Sequence, residues 1–471
     1  MERLVKKYGS LISSRVFTLN DQYEFSQFSA DINPIHIDPI YARRTIVGEC
    51  IVHGVHGLMW ALNNLLKTHD LYISSFEAKF LKSIPLNEPI CLFWNNEKNK
   101  LSIANDGTLF TTIVVRFGAI KTKANIFDIK VEKALAFPKC MALKQCAELG
   151  KQELVYRGNI DKGKILFPEL FQTYGDALIA EISSASEIIG MQIPGLNSLF
   201  LSIKGEFSVS HEISSFEIEK CDLRFGVLEI SLRGKYLKAC INALYRPQPQ
   251  RVPHISYLKK FVSPNTFKSV NALIIGGSRG LGELTAKLIA LGGGRLTITY
   301  NQGEMDAKNI RSEIERNGSS CNIEQLTIAK SFHLPLDDFN QIYYFPTPRI
   351  KPEDTAIEGE NLFSLYQMYY VDGFYSLILQ ALERRNFIKI FYPSTNFIDK
   401  PPFNFALYAK AKLNGENLCK EFNKTGKLEI IYPRLPRMAT DQTLSLMPEL
   451  FEDSIQVILP LIKDMCNDFH I

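Results

Sequence analysis

The feature that most constrains the fold of this chain is a glycine-rich turn between an apolar strand and an apolar helix, in ALIIGGSRGLGELTAKLIA (residues 272–290). Gly276, Gly280 and Gly282 follow the pattern Gly-x-x-x-Gly-x-Gly. Such glycines permit a tight turn and let a pyrophosphate approach the backbone at the N-terminus of the helix. A second strand pattern, RLTITY, follows. This order predicts a parallel α/β sheet that binds a dinucleotide, with a plain tight turn as the alternative.

The residues after the second strand indicate which dinucleotide is bound. An NAD-dependent enzyme usually has an acidic residue here for the ribose 2′-hydroxyl. This chain has Tyr300 and Asn301 instead, and Arg279 in the glycine loop is available for a 2′-phosphate. We therefore expect NADP(H). The predicted contacts of the cofactor in this region are Gly276, Ser278, Arg279, Gly280, Leu281, Gly282, Tyr300 and Asn301.

A proline-rich stretch separates this region from the first half of the chain. RPQPQRVPHISYLKKFVSP holds four prolines between Pro247 and Pro264, and continues neither a helix nor a central strand. Upstream, an apolar helix followed by short strands occurs twice, from His53 and again from Leu170. This repetition predicts two copies of a sheet wrapped around a helix. The expected segments are residues 1–130, residues 131–250, a linker at 251–265 and a dinucleotide-binding domain at 266–471.

Composition excludes several classes of protein. The chain has 471 residues, of which 46% are hydrophobic and 22% charged, as in ordinary globular proteins. A net charge of +4 is too weak to argue for nucleic acid. Nine cysteines without a Cys-x-x-Cys pair argue against a disulfide framework and against a metal site. The sequence shows no secretory signal and no apolar run of the roughly 20 residues that span a bilayer. We expect a cytoplasmic protein.

A short polar motif in the first half, FSADINPIHIDPIYA, places Asp31 and His36 on either side of a proline-stiffened loop. An imidazole suits general acid–base chemistry near neutrality, and a carboxylate can orient it or share a water with it. Asn33 is suited to steady the loop or the substrate. The alternative is a structural turn in which Asp31 caps the loop and His36 packs against it.

The segment IVHGVHGLMWAL supplies what such a pair needs next, a place for developing negative charge. Gly54 is expected to open an apolar helix, so that its N–H points outward at the positive end of the helix dipole. A thioester carbonyl at this point becomes enolate-like when water adds to or leaves the Cα–Cβ bond, and the N–H stabilises it. We interpret His53 and His56 as structural residues.

The motif Asp-x-Asn-Pro-x-His-x-Asp-x-x-x-Ala, followed by His53-Gly54, resembles the MaoC-like, R-specific enoyl-thioester hydratases and dehydratases of the hot-dog fold. The resemblance implies that Asp31 and His36 are the catalytic pair and that the Gly54 amide forms the oxyanion hole. Ala30 departs from the usual glycine, for which we expect a small backbone adjustment. The second copy lacks an Asp/His pair, so its expected role is to complete a pseudo-dimer and line the acyl tunnel.

A second pair of candidate residues, Tyr408 and Lys412, lies in FYPSTNFIDKPPFNFALYAKAKLNGENL. Their i, i+4 spacing puts both on one face of a helix. An ammonium beside a phenol stabilises the phenolate, so we expect Lys412 to lower the pKa of Tyr408.

With the glycine loop, these residues resemble the short-chain dehydrogenases/reductases, most closely the ketoreductases that act on 3-oxoacyl thioesters. The resemblance implies that Tyr408 protonates the carbonyl oxygen and that Lys412 holds the nicotinamide ribose. Thr395, with Ser394 as its rival, would orient the substrate. Either Thr440 or Thr443 would contact the carboxamide group of the nicotinamide. Three features depart from the family: Ile275 replaces a threonine, IYYFPTPRI replaces an Asn-Asn-Ala-Gly stretch, and Tyr370 replaces a relay asparagine. The alternative for the tyrosines around Tyr370 is packing in the core or at a dimer face.

Together these features predict an α+β double hot-dog followed by an α/β Rossmann-type domain. The predicted function is the interconversion of 3-oxoacyl, (R)-3-hydroxyacyl and 2-enoyl thioesters, carried by coenzyme A or by an acyl-carrier protein. A homo-oligomer through the reductase domain is compatible with the resemblance. Two alternatives stay open: a hydratase whose nucleotide-binding domain has weakened chemistry, and a non-catalytic acyl-binding scaffold.

Overall fold

The chain folds into two units, Met1–Gln248 and Pro249–Ile471. The structure is a computed structural model, and it describes residues 2–69, 72–105, 107–118, 128–329, 332–353, 356–383, 387–446 and 449–467. Within these residues, no helix is both long enough and apolar enough to cross a membrane.

The first unit combines short helices with one antiparallel sheet. Its helices are α1 Glu2–Tyr8, α2 Leu19–Ser29, α3 Pro34–Ile37, α4 Pro39–Ala42, α5 Gly54–Thr68, α6 Leu143–Ala147, α7 Ile160–Leu166, α8 Pro168–Tyr174 and α9 Asp176–Glu187. Its strands are β1 Ser10–Val16, β2 Ile73–Phe80, β3 Pro89–Asn95, β4 Lys100–Ala104, β5 Leu109–Phe117, β6 Gln152–Glu153, β7 Ser198–Phe207, β8 Ser215–Asp222, β9 Val227–Arg233 and β10 Leu237–Tyr245.

The same strand connection occurs twice in this sheet, whose order is β1-β3-β4-β5-β2-β7-β10-β9-β8-β6. The four strands after α5 are ordered β3-β4-β5-β2, and the four after α9 are ordered β8-β9-β10-β7. The two sets join where β2 pairs antiparallel with β7, with Ala78 opposite Ile203. Each set therefore repeats a helix followed by four antiparallel strands.

The helices α5 and α9 are buried along most of their length, and both belong to one hydrophobic cluster. A helix that is apolar on nearly every side is stable only when other elements enclose it. The second predicted helix is interrupted at Gly175, which has φ 78° and separates α8 from α9. Helix α9 continues as a π-helical turn, Ile188–Gln192.

The second unit has helices on both faces of a parallel sheet. Its helices are α10 Ile255–Leu258, α11 Gly280–Leu291, α12 Glu304–Glu315, α13 Ala356–Gln367, α14 Gly373–Leu382, α15 Ala406–Asn423 and α16 Ser454–Asp464. Its strands are β11 Asn271–Ile275, β12 Arg295–Tyr300, β13 Cys321–Gln325, β14 Gln341–Tyr344, β15 Lys389–Phe391, β16 Ser394–Thr395, β17 Glu429–Ile431 and β18 Arg434–Leu435.

The main sheet of this unit has the order β13-β12-β11-β14-β15-β17, and all of its pairs are parallel. In chain order this is 3-2-1-4-5-6, the Rossmann arrangement, which binds ligands where the order reverses. The reversal lies between β11 and β14. The glycine loop follows β11, so it lies at the edge where the arrangement binds its ligand.

The segment expected as a linker, residues 251–265, is partly folded into the second unit. Ile255 and Leu258 in α10 are fully buried in the core beside α11. The Lys287 ammonium also donates to the carbonyl of Pro253 at 3.3 Å. The prolines predict a linker, but the segment also holds apolar residues at helical spacing, and these residues anchor it in the core.

Candidate active sites

The loop that carries the first predicted pair begins where α2 ends at a left-handed residue. Ala30 has φ 62°, a conformation that glycine adopts without strain and that other residues adopt at a cost. The adjustment expected at Ala30 is therefore this strained turn. Asn33 then caps α3, because its side-chain oxygen accepts from the amide of Ile35 at 3.2 Å.

Asp31 is buried and held by three neighbours. The Ser186 hydroxyl donates to its carboxylate at 2.7 Å, and the backbone N–H of Asn33 donates to it at 3.1 Å. Gly190 packs so closely that a Cβ at this position would lie 2.2 Å from a carboxylate oxygen. Burial raises the pKa of Asp31 to about 7, while the hydrogen bonds from Ser186 and Asn33 oppose the rise.

His36 presents one ring nitrogen to the same place. Its Nδ1 lies 2.9 Å from the carbonyl oxygen of Ile51, so Nδ1 carries the proton and Nε2 is left as a base. Burial lowers the pKa of His36 to about 4, which keeps the ring neutral. One ring nitrogen each from His36 and His53 and a carboxylate oxygen of Asp31 all lie within 4.8 Å of one another. The structure therefore brings the predicted pair together.

Gly54 is the first residue of α5, as predicted. No acceptor among the described residues takes a hydrogen bond from its N–H, which leaves the amide available at the helix N-terminus. A Cβ here would lie 3.3 Å from the ring of Phe80. Even a methyl group would thus crowd this position.

The histidines beside Gly54 have protein partners. His53 stacks on His36 with ring centroids 3.7 Å apart, and its two ring nitrogens face Gln22 at 3.0 Å and the carbonyl of Asp31 at 3.1 Å. His56 stacks on Phe25 at 4.7 Å. Burial lowers the pKa of both histidines. These contacts agree with a structural role for His53 and His56.

The second set of strands and its helix contribute to the Asp31 site, which the sequence did not indicate. Ser186 comes from α9, and Gly190 comes from the π-helical turn that follows it. The side-chain Nδ2 of Asn33 donates to the carbonyls of Gly190 at 2.9 Å and Gly195 at 3.1 Å. The available signal was the run SSASE, because small polar residues in the middle of an apolar helix require buried partners.

The glycine loop fits the pyrophosphate of a dinucleotide. Gly276 and Gly280 have φ of 76° and 57°, and the space that a Cβ at Gly280 would occupy is open. Gly282 lies against the turn, since a Cβ there would be 2.4 Å from the carbonyl oxygen of Gly276. Glycine is therefore required for the turn at Gly276 and for close helix packing at Gly282, which is the physical basis of the dinucleotide fingerprint.

The other predicted cofactor residues lie in this loop and in α11, at the end of β12, and before the short turn Asp441–Thr443. Ser278 is buried, and Leu281 is half-buried in the first turn of α11. The Asn301 side chain accepts from the Thr327 hydroxyl at 3.0 Å, and Tyr300 ends β12. The Thr440 hydroxyl caps the short turn Asp441–Thr443.

Arg279 already faces an acid in this structure. Its guanidinium lies 3.8 Å from the carboxylate of Asp441, which stands between Thr440 and Thr443, the two candidates for contacting the carboxamide. A 2′-phosphate at Arg279 would therefore compete with this carboxylate.

Tyr408 and Lys412 lie on consecutive turns of α15, with Thr395 beside them. The Thr395 side chain lies close enough to Tyr408 to lower the pKa of its phenol, whereas the Ser394 hydroxyl donates to Glu416 at 2.6 Å. Of the two candidates for orienting a substrate, Thr395 is therefore the one beside Tyr408.

One expectation about this group is wrong. Burial raises the pKa of Tyr408, the Thr395 side chain only partly opposes this, and Lys412 contributes no lowering. The Lys412 Nζ donates to the carbonyl of Pro393 at 2.7 Å. Burial lowers the pKa of Lys412 itself to about 7, so Lys412 has lost its charge at the pH where the phenol ionises.

Comparison with known proteins gives a family match within the first unit. Residues 10–90 match the family described as MaoC like domain, which confirms the predicted resemblance for this part of the chain. A search of curated proteins gives no match.

Solved structures similar to the chain include acetoin dehydrogenase from Enterobacter cloacae, with 17% identity, TM-score 0.35, and coverage of 42% of this chain and 88% of that one. A second is described as a short-chain dehydrogenase from Escherichia coli CFT073 complexed with NADPH, with 15% identity, TM-score 0.37, and coverage of 43% and 93%. A third is FolM alternative dihydrofolate reductase 1 from Brucella suis in complex with NADP, with 12% identity, TM-score 0.34, and coverage of 38% and 77%.

Proposed function

We propose that this chain, a MaoC-like domain joined to a Rossmann-type unit of the short-chain dehydrogenase kind, interconverts 3-oxoacyl, (R)-3-hydroxyacyl and 2-enoyl thioesters. The observation that carries the proposal is the convergence of the Asp31 carboxylate and a ring nitrogen of His36, within 4.8 Å, in the same domain as the free amide of Gly54. An acid–base pair and a donor for an enolate oxygen are what addition of water to an enoyl thioester requires.

The lowered pKa of His36 and the raised pKa of Asp31 give these two residues different roles in hydration. His36 is neutral with Nε2 unprotonated, so it takes a proton from water as the hydroxide adds to Cβ. Asp31 retains its proton up to about pH 7 and delivers it to Cα. The Gly54 amide holds the thioester oxygen while it is enolate-like. Dehydration uses the same groups in reverse.

The second unit is proposed to reduce the 3-oxo group with NADP(H). Gly276, Gly280 and Gly282 would hold the pyrophosphate and Arg279 the 2′-phosphate, while NADPH, when bound, supplies the hydride. Thr395 orients the carbonyl oxygen, and Tyr408 donates its proton to that oxygen. The buried phenol is protonated at neutral pH, as an acid in this role must be.

The division of labour follows the predicted segments. We assign residues 1–130 to the catalytic hot-dog half, residues 131–250 to a second hot-dog half without its own pair, and residues 266–471 to the reductase domain. The repeated strand order of the first unit supports a double hot-dog. The acyl group would be carried by coenzyme A or by an acyl-carrier protein. A homo-oligomer through the reductase domain would cover side chains such as Tyr375 and Leu379, which are exposed on α14.

Two assays test the proposal on the purified full-length chain. Loss of the enoyl absorbance of crotonyl thioester measures hydration, and oxidation of NADPH with acetoacetyl thioester measures reduction. Both activities are expected. Absence of the first would refute the hydratase role, and absence of both is the result expected of an acyl-binding scaffold.

A second candidate function is a hydratase whose nucleotide-binding unit has weakened chemistry. It is favoured by Tyr370, which stands where a relay asparagine was expected and whose hydroxyl is bonded to Thr347 at 2.5 Å. This candidate predicts hydration without oxidation of NADPH, so the same two assays distinguish it.

A further inference from the structure

Tyr370 lies in a π-helical turn, Met368–Asp372, between α13 and α14. Its side chain is 1% exposed and packs in a cluster with Tyr366, Tyr408 and Ala411. Single π-helical turns are frequent at functional sites. This turn directs an aromatic side chain toward the residues to which we assign the reduction.

The ring of Tyr370 lies against the Lys412 ammonium. The Nζ atom is 4.1 Å from the centre of this ring and 4.9 Å from the centre of the Tyr392 ring. Both distances are within the range in which a cation is attracted to the face of an aromatic ring, and the attraction strengthens when water is excluded. Lys412 is buried, so water does not weaken it here.

The charge of Lys412 has no carboxylate partner among the described residues. Its single hydrogen bond there goes to the carbonyl of Pro393 at 2.7 Å. The nearest acid along α15, Glu416, instead accepts from Ser394 at 2.6 Å and pairs with Arg434 at 2.8 Å. A buried ammonium without an acid needs other stabilisation, and the ring faces provide it.

The Tyr370 hydroxyl has a different partner. It is bonded to the Thr347 hydroxyl at 2.5 Å and lies in the plane of the ring, so it does not point at a cation above the ring face. The contact with Lys412 therefore belongs to the ring and not to the hydroxyl.

The π-helical turn Met368–Asp372 packs closely against the backbone of α15. The Tyr392 hydroxyl donates to the carbonyl of Tyr370 at 3.1 Å. Gly415 makes room for this contact, because a Cβ there would lie 2.0 Å from the Tyr392 hydroxyl and 2.9 Å from the carbonyl oxygen of Tyr370. The ring and the ammonium are thus held at a set distance.

We propose that Tyr370 is the positioning residue for Lys412, and that the face of its ring holds the ammonium in the place where a relay asparagine was expected. The inference rests on the reductase role proposed above for Lys412. It makes the tyrosine a functional replacement and not a sign of a lost site. The groups that face the ammonium are the two rings, the Pro393 carbonyl and, electrostatically, Cys419.

The test measures the protonation of Lys412 directly in the full-length chain. Lysine labelled with ¹³C at Cε is incorporated, the Lys412 signal is identified by its loss in Lys412→Met, and its shift is followed against pH. In Tyr370→Phe, which keeps the ring, the midpoint should stay near that of the parent chain. In Tyr370→Leu, the ammonium loses the ring and the midpoint should fall by about one unit, a tenfold loss of proton affinity.

Tyr366→Leu is the matched control, because Tyr366 is a buried tyrosine of the same cluster whose ring packs on Tyr370 and Tyr408. It should leave the midpoint unchanged. Equal midpoints in Tyr370→Phe and Tyr370→Leu, or an equal drop in Tyr366→Leu, would overturn the proposal.

If Tyr370→Leu does not fold, phenylalanines with an increasing number of fluorine atoms at position 370 keep the shape and weaken the attraction of the ring face. The midpoint should then fall stepwise with each fluorine, and a constant midpoint would refute the role of Tyr370. The titration needs neither cofactor nor turnover. A missing NADPH oxidation would therefore count against the reductase function alone, and an unresponsive midpoint against Tyr370 alone.

Discussion

The two candidate sites are held together in opposite ways. Asp31 and Asn33 are fixed by directed hydrogen bonds with groups far away in the chain: the Ser186 hydroxyl donates to Asp31, and the carbonyl of Gly190 accepts from the Asn33 side chain. Lys412 is fixed by one carbonyl and by ring faces. Directed bonds define an orientation and a proton position, whereas ring faces stabilise a charge but leave its hydrogen-bonding directions open. The orientation of Asp31 is thus set by the chain itself, whereas Lys412 keeps donors available for a cofactor.

The largest expected effect is loss of reduction without loss of hydration, caused by a change in the second site. Tyr408→Phe removes the proton that reduction needs, so NADPH oxidation with acetoacetyl thioester should fall by roughly 10²-fold to 10⁴-fold. Hydration and NADPH binding, measured by fluorescence titration, should stay as in the parent chain. Retained reduction would remove Tyr408 from its role.

His36→Ala should have the opposite effect, loss of hydration without a change in the second site. Without the base, hydration of crotonyl thioester should fall by roughly a hundredfold or more, and NADPH affinity should not change. His211→Ala is the control, because this exposed histidine lies in the first unit but outside the site. Equal loss in both activities would contradict the separation of the sites.

The pH profile of hydration tests whether the hydrogen bonds set the proton of Asp31. The competent form has Asp31 protonated and His36 neutral, so activity should fall below about pH 4 and above about pH 7. Ser186→Ala removes a donor to the carboxylate, which raises the pKa of Asp31 and moves the upper limb by about one unit to higher pH. Glu187→Gln removes a nearby negative charge and should move it to lower pH. If the loss of hydration activity at high pH occurred at the same pH in both variants, Ser186 and Glu187 of α9 would not set the pKa of Asp31.

The smallest expected effect concerns Arg279 and Asp441. Arg279→Ala should weaken NADPH binding by about tenfold while NADH binding changes little, because only NADPH carries the 2′-phosphate. Asp441→Asn should tighten NADPH binding slightly, since the amide competes less for the guanidinium. Equal losses for both dinucleotides in isothermal titration would place Arg279 away from the phosphate.

What the sequence predicts depends on how local the signal is. Asp31 and His36 lie within one short loop, and the three glycines lie within a single turn, so both motifs were readable. The link between Ser186 and Asp31 spans 155 residues and depends on how two sets of strands meet. No spacing rule reports it. The pKa of Tyr408 was misjudged for a similar reason, because the burial that raises the pKa of the phenol and lowers that of Lys412 is a property of packing and not of i, i+4 spacing.

The pairing of β2 with β7 joins the two sets of strands, which belong to one chain, in a single hydrogen-bonded sheet. A site assembled from two separate copies of a protein would lose its Ser186 and Gly190 equivalents on dilution. Here those groups travel with Asp31 on the same polypeptide, so the specific rate of hydration should be independent of enzyme concentration. Because both sets of strands belong to one chain, the second set needs no acid–base pair of its own. Its helix α9 instead supplies Ser186, which holds Asp31.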